Sequence, residues 1–131
     1  MSEPSAEHNR LSGMVVDSAV AVHRSLGPGL LESVYEQCLA VELQARGLKT
    51  ARQVPQPIEY RGKHLDAGFR LDILVEDLVV IEIKAVERLL PVHEAQLLTY
   101  LKLSRRQLGL LINFNVPVIK AGIRRLVLTS Q

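Results

Sequence analysis

The chain of 131 residues holds one cysteine and no tryptophan. A single cysteine, Cys38, excludes an intramolecular disulfide and any zinc site built on thiolates. It falls on the apolar stripe of an expected helix and reads as a small core residue. Aromatic side chains are few, three Tyr and two Phe, which argues against an extended stacking platform for single-stranded bases. No apolar run reaches the length of a membrane span, and the polar start MSEPSAEHNR lacks the apolar centre of a signal peptide. A cytoplasmic location and no membrane partner are therefore expected. Excess charge is also scarce. Sixteen Lys and Arg against fourteen Asp and Glu leave +2, a balance that permits nucleic acid as a partner without arguing strongly for it.

What is present is an ordinary globular composition, 47% hydrophobic and 23% charged, enough for one domain with one core. Residues 1–10 read as a flexible tail and 11–131 as a single domain. Apolar residues at 15, 16, 19, 20, 22 and 26 have helical spacing from Ser12 to Leu26, and Gly27-Pro28-Gly29 stops that helix. A second helix is expected from about Leu30 to Arg46. Its apolar stripe is Leu31, Val34, Cys38, Val41 and Ala45, with Glu32, Tyr35, Glu36 and Leu39 on a neighbouring face. Residues 51–60 read as an extended edge strand because of Pro55 and Pro57. Pro91 suits the first position of a helix that runs to Leu103. LGLLINF at 108–114 reads as a central strand covered on both faces, and GIRRLVLT at 122–129 as a last strand.

The stretch FRLDILVEDLVVIEIK, Phe69 to Lys84, places Asp72, Glu82 and Lys84 inside two aliphatic runs. Successive strand residues point to opposite faces. If Leu71, Ile73 and Val75 share a core face with Val79, Ile81 and Ile83, the antiparallel partners are 75 with 79, 73 with 81 and 71 with 83. Asp72 then lies across from Glu82, with Lys84 one pleat further. That register needs a three-residue connection, Glu76-Asp77-Leu78, with a bulge. A two-residue turn would put the two carboxylates on opposite faces. Burying unpaired charge costs several kcal/mol, on the order of that for any ion taken out of water, and a divalent metal is the partner two carboxylates most naturally share. The alternative is a solvated strand edge, since a Glu-x-Lys triplet arises by chance in roughly one chain of this length in two.

HRSLGPGLLESVYEQCLAVEL contains Gly29, Glu32 and Tyr35 at the spacing that names the GxxExxY protein family. IEYRG, DILVED, VIEIKAV, LPVHEAQLLTYLK and LLINFNV follow in that family's order, so the chain resembles it over about residues 11–128. That family belongs to the PD-(D/E)XK nuclease-like superfamily. The resemblance implies an α/β (α+β) fold with a restriction-endonuclease-like core, a central mixed β-sheet flanked by helices. It also implies site residues. Asp72 resembles the first metal-binding acid, Glu82 and Lys84 the E-x-K pair, and Glu32 the helix glutamate many members add. Gln96 and Tyr100 resemble a Q-x-x-x-Y helix. The literal proline-aspartate pair is absent, as residue 71 is leucine.

The expected function is a Mg²⁺-dependent nuclease, with Mn²⁺ as a substitute, acting on DNA ahead of RNA. Asp72 and Glu82 would hold the ion with the Ile83 carbonyl, Glu32 would reach it through water, and Lys84 would act on the water or the phosphate. Gln96 would position Lys84 or a phosphate oxygen. Tyr100, Lys102, Arg105 and Arg106 are the expected nucleic-acid contacts. Tyr35 and Tyr100 also read as packing residues with wet hydroxyls, His23 as a helix-end cap, and His64 and His93 as surface residues. A homodimer is expected, as symmetric dimers are the commonest assembly. The competing reading is a non-enzymatic scaffold that binds nucleic acid or protein and retains the nuclease fold.

Overall fold

The computed structural model describes residues 3–129 and begins with two helices, α1 (Ala6–Leu26) and α2 (Glu32–Ala45). β1 (Thr50–Pro55), β2 (Ile58–Tyr60) and β3 (Lys63–Leu65) follow, then β4 (Arg70–Val75) and β5 (Val79–Lys84). The third helix, α3 (Pro91–Ser104), leads to β6 (Leu108–Asn113). A 3-10 turn, Ile119–Gly122, precedes β7 (Ile123–Val127). Five strands make one mixed sheet in the order β1-β4-β5-β6-β7, while β2 and β3 form a separate ribbon. β5 and β6 run parallel while the other neighbours in this sheet are antiparallel, and a parallel pair requires a crossover, which α3 supplies.

Helices cover both faces, as a sheet whose inner strands are aliphatic on both sides demands. Leu11, Val15 and Ala19 of α1 and Tyr35, Leu39 and Leu43 of α2 pack on Ile73, Val75, Ile81, Ile83, Leu110 and Ile112. On the other face Leu97, Tyr100 and Leu101 of α3 pack on Leu74, Val80 and Leu111. β6 is buried along its whole length, as its continuous apolar run requires. Gly109 is the one residue of β6 that lets α3 come close. A Cβ there would stand 3.0–3.1 Å from the Leu97 side chain.

The hairpin register is the expected one, Val75↔Val79, Leu74↔Val80 and Ile73↔Ile81. Glu76 and Asp77 both adopt positive φ, and Leu78 N–H closes the turn on the Val75 carbonyl at 3.0 Å. Leu78 is the extra residue of the three-residue connection.

Four expectations need correction. α1 starts at Ala6, not Ser12, and no tail extends to residue 10; Met1 and Ser2 lie outside the described residues. Ser5 caps the helix by accepting from His8 N–H at 3.2 Å, and the Glu7–Arg10 pair at 2.6 Å supports a first turn without apolar periodicity. α2 buries Tyr35, Leu39 and Leu43, the face beside the expected stripe, and leaves Leu31 and Val41 73% and 66% exposed. The extended segment 51–60 is divided, because Pro55 and Pro57 offer no N–H to a ladder and Gln56 N–H turns instead to Phe69 O at 2.9 Å. Leu71 is fully buried, yet it joins the α3-side cluster and not the row of Ile73 and Val75.

Candidate metal and catalytic site

The displacement of Leu71 marks a fork in the sheet. Pairing between β4 and β5 ends at Ile73↔Ile81. Beyond it β4 stays with β1 through Val54↔Leu71 and Pro55↔Arg70, while β5 stays with β6 through Glu82↔Leu111 and Lys84↔Asn113. Two carboxylates fill the gap and satisfy the backbone groups the ladder no longer serves. Glu82 Oε2 accepts from Asp72 N–H at 2.9 Å, and Asp72 Oδ2 accepts from Ile83 N–H at 2.8 Å.

That exchange uses one oxygen of each carboxylate. Asp72 Oδ1 and Glu82 Oε1 have no hydrogen-bond partner among the described residues, and no partnerless side-chain oxygen there is shut off from solvent. Burial raises the Asp72 carboxyl to about 6 against the opposing pull of the Ile83 N–H, and the charges of Glu36 and Glu32 push it the same way. Burial raises Glu82 to about 8, and the Asp72 charge adds to it. Two acids held together in a low-dielectric gap cannot both ionise cheaply. Lys84 opposes both shifts without cancelling them. Open hard oxygens on an uncompensated negative pair suit a divalent cation such as Mg²⁺, so the donor chemistry of Asp72 and Glu82 fits such an ion.

Lys84 ends β5, half-buried, with Nζ 3.5 Å from Gln96 Oε1, a contact at the outer limit of a hydrogen bond. Ile83 is fully buried and presents its N–H to the same gap. Tyr100 lies on the α3 side of the fork; burial and then the charges of Glu82 and Asp72 raise its hydroxyl pKa. Its ring is nearly buried, and it meets Phe69 at 6.0 Å between centroids. Glu32 is exposed at the first position of α2. Among the described residues no three His, Cys, Asp or Glu side chains group closely enough to hold a metal.

The basic residues expected at a nucleic-acid interface divide. Lys102 and Arg105 are exposed and make no ion pair among the described residues. Arg106 is engaged at the opposite end of the hairpin, with Nη2 2.6 Å from Asp77 Oδ1 and Nε donating to Asp77 O at 3.1 Å. His23 is buried and its Nε2 lies 2.7 Å from Val116 O, tying α1 to the loop after β6. His93 Nδ1 accepts from Leu90 N–H at 3.0 Å and caps α3. His64 is exposed. Tyr35 differs from a wet packing residue. It is fully buried, its ring stacks on Phe114 at 4.6 Å, and its hydroxyl donates to Gly27 O and accepts from Leu30 N–H at 2.6 and 3.0 Å.

Two polar residues near the site were not singled out by the sequence. Glu36, one turn after Glu32, is buried and holds Arg52 through Oε2 at 3.0 Å and Gln53 through Oε1 at 2.8 Å. Its charge weighs more on Asp72 than that of Glu32. The signal was an acid on the same face as Tyr35, the face that proved to be buried. Asn113 is buried at the end of β6, where it pairs with Lys84 in the ladder. Its side chain accepts from Val86 N–H and donates to Val86 O, both at 3.0 Å, and so fixes the chain that leaves Lys84. A lone amide in LGLLINF was the available signal.

A family model described as the PD-(D/E)XK nuclease superfamily matches residues 9–126. No curated protein and no solved structure matches the chain significantly.

Proposed function

The chain belongs to the PD-(D/E)XK nuclease superfamily, which implies metal-dependent cleavage of phosphodiester bonds, and from that premise we propose that it is a Mg²⁺-dependent nuclease acting on DNA through Asp72, Glu82 and Lys84. The spacing of Gly29, Glu32 and Tyr35 supports its finer assignment to the GxxExxY group. Asp72 and Glu82 would hold the ion, and Glu32 would contribute through water. When bound, the ion supplies positive charge at the phosphate and lowers the pKa of its water. Lys84, next in line on β5 and anchored toward Gln96, sets an ammonium beside the carboxylates. There it orients the attacking water or offsets charge on the phosphate. Asn113 acts as a positioning residue by bracing the backbone just beyond Lys84.

The observation that carries this reading is the reciprocal contact between the two carboxylates and the two backbone N–H groups at the fork. It holds two acids together at a cost in protonation free energy that a purely structural pair has no reason to bear. The test is a cleavage screen on single-stranded, duplex and branched DNA and on RNA, with and without Mg²⁺ or Mn²⁺, for the parent, Lys84→Ala and Asp72→Ala. Lys84→Ala should stay folded, lose cleavage and keep metal binding, because removing a neighbouring cation does not weaken the site for another. Asp72→Ala should lose metal binding and cleavage together. Cleavage at the parent rate by Lys84→Ala would refute the mechanism. A parent that neither binds metal nor cleaves would leave the scaffold reading in its place.

A further inference from the structure

The β2–β3 ribbon stands apart from the main sheet and faces α3 across a groove. A two-stranded ribbon is marginal alone, yet this one and the segment after it expose Tyr60 by 66%, Leu65 by 47% and Phe69 by 39%. The groove holds about 420 Å³, with Ile58 and Phe69 on one wall and Val92, Gln96, Thr99 and Tyr100 on the other. Gln96 is also the residue that meets Lys84, so the groove begins at the catalytic cluster. Leu103 lines its far end and continues into a second cavity of about 360 Å³, whose walls include His64, Lys102 and Arg105, with Glu59 as the opposing charge. Lys102 lies about 9 Å beyond Gln96 along the helix, at about 1.5 Å per residue.

We propose that this groove takes an unpaired nucleotide next to the cleaved phosphate, so that the substrate of the site is single-stranded nucleic acid. The inference rests on the nuclease reading above and narrows it. A base inside a duplex has both faces covered by its neighbours, whereas an exposed aromatic ring can stack only on a base that is free. Phe69 offers such a ring, 39% exposed, and is held in place by a tilted contact with Tyr100 of the facing wall at 6.0 Å and 57°. The apolar slot takes the base, and Lys102 and Arg105, exposed and without an ion pair among the described residues, take the following phosphates, as an apolar surface beside a cationic track requires. Five aromatic residues cannot make an extended platform, but a single slot needs one or two.

The test is fluorescence anisotropy of the intact chain in EDTA, where no strand is cut, using short fluorescein-labelled DNA and RNA single strands and the same sequence as a blunt duplex. Single strands should bind at least about tenfold more tightly than the duplex. Phe69→Ala should weaken single-strand binding about tenfold, the effect of one stacked base. Phe69→Leu, which keeps the groove filled, serves if the alanine variant fails to fold. Lys102→Ala with Arg105→Ala should lower the salt slope by about 1.4, at about 0.7 per phosphate for single strands. A duplex that binds as tightly as the single strand overturns the proposal. So does parent-like single-strand binding by both Phe69 variants, or no binding of any strand. Hydrolysis of bis(p-nitrophenyl) phosphate, a diester without a base, by the parent with Mn²⁺ tests the catalytic reading separately.

Discussion

Asp72 and Glu82 each give up one oxygen to hold the fork closed and keep the other open. The consequence is a defined pH dependence. Folding raises Asp72 from an ordinary 3.8 to about 6 and Glu82 from 4.5 to about 8. Both groups bind protons more tightly folded than unfolded. Their contribution to stability is therefore complete below about pH 4 and is lost as pH rises toward 8. Without divalent metal, the melting temperature should fall by several degrees between pH 5.5 and 8.5, and Glu82→Gln should flatten that fall. Circular dichroism melts in EDTA check this, and a flat profile for the parent would mean that the pair is not strained. The positions of these residues were legible in the sequence because strand alternation fixes them. The reciprocal backbone bonds were not, since alternation says nothing about where a ladder stops. Glu36 was hidden for a related reason: an acid beside an apolar stripe looks solvated until the strand that supplies Arg52 and Gln53 is in place.

At the level of elements, α2 shows how a sequence pattern can point to the wrong face. Leu31, Val34, Cys38, Val41 and Ala45 outnumber Tyr35, Leu39 and Leu43, yet the shorter row faces the sheet. What decides is the aromatic partner on another element. Tyr35 stacks on Phe114, and its hydroxyl satisfies the carbonyl of Gly27 and the N–H of Leu30. Gly27 and Gly29 adopt φ of 70° and 99°, which a residue with a Cβ would resist. The tyrosine of the Gly29, Glu32, Tyr35 pattern is thus a fastener of the α1–α2 corner. Tyr35→Phe keeps the stack and removes both hydroxyl bonds. It should cost about 1–3 kcal/mol, because the corner's backbone groups are left without that partner. Urea denaturation measures it, and an unchanged midpoint would show that water replaces the hydroxyl freely. Helix existence and hairpin register were legible from periodicity; the separate β2–β3 ribbon and the buried face of α2 were not, the latter because it depends on Phe114 almost eighty residues downstream.

For the whole molecule, the arrangement is a five-stranded sheet held between two helices on one face and one on the other, opened at one point between its second and third strands. Each layer bears on that opening: β4 and β5 bring the carboxylates and the lysine, α3 the contact to Lys84, and the charges of Glu36 and Glu32 on α2 push the Asp72 carboxyl up. Among the described residues no helix is long and apolar enough to cross a membrane. The fold class was legible through the motifs that carry the family resemblance, from Gly29, Glu32 and Tyr35 to LLINFNV, and membership of the superfamily agrees with it. The central claim is that the open oxygens of Asp72 and Glu82 hold a divalent ion. Isothermal titration of Mg²⁺ into the parent and Asp72→Ala, repeated at pH 6, 7 and 8.5, within the range in which Asp72 at about 6 and Glu82 at about 8 titrate, tests it most directly. The parent should bind more tightly as pH rises, because the ion competes with the protons those carboxyls hold, and Asp72→Ala should show no comparable binding. Absence of binding at millimolar Mg²⁺, or equal binding by Asp72→Ala, would contradict the claim.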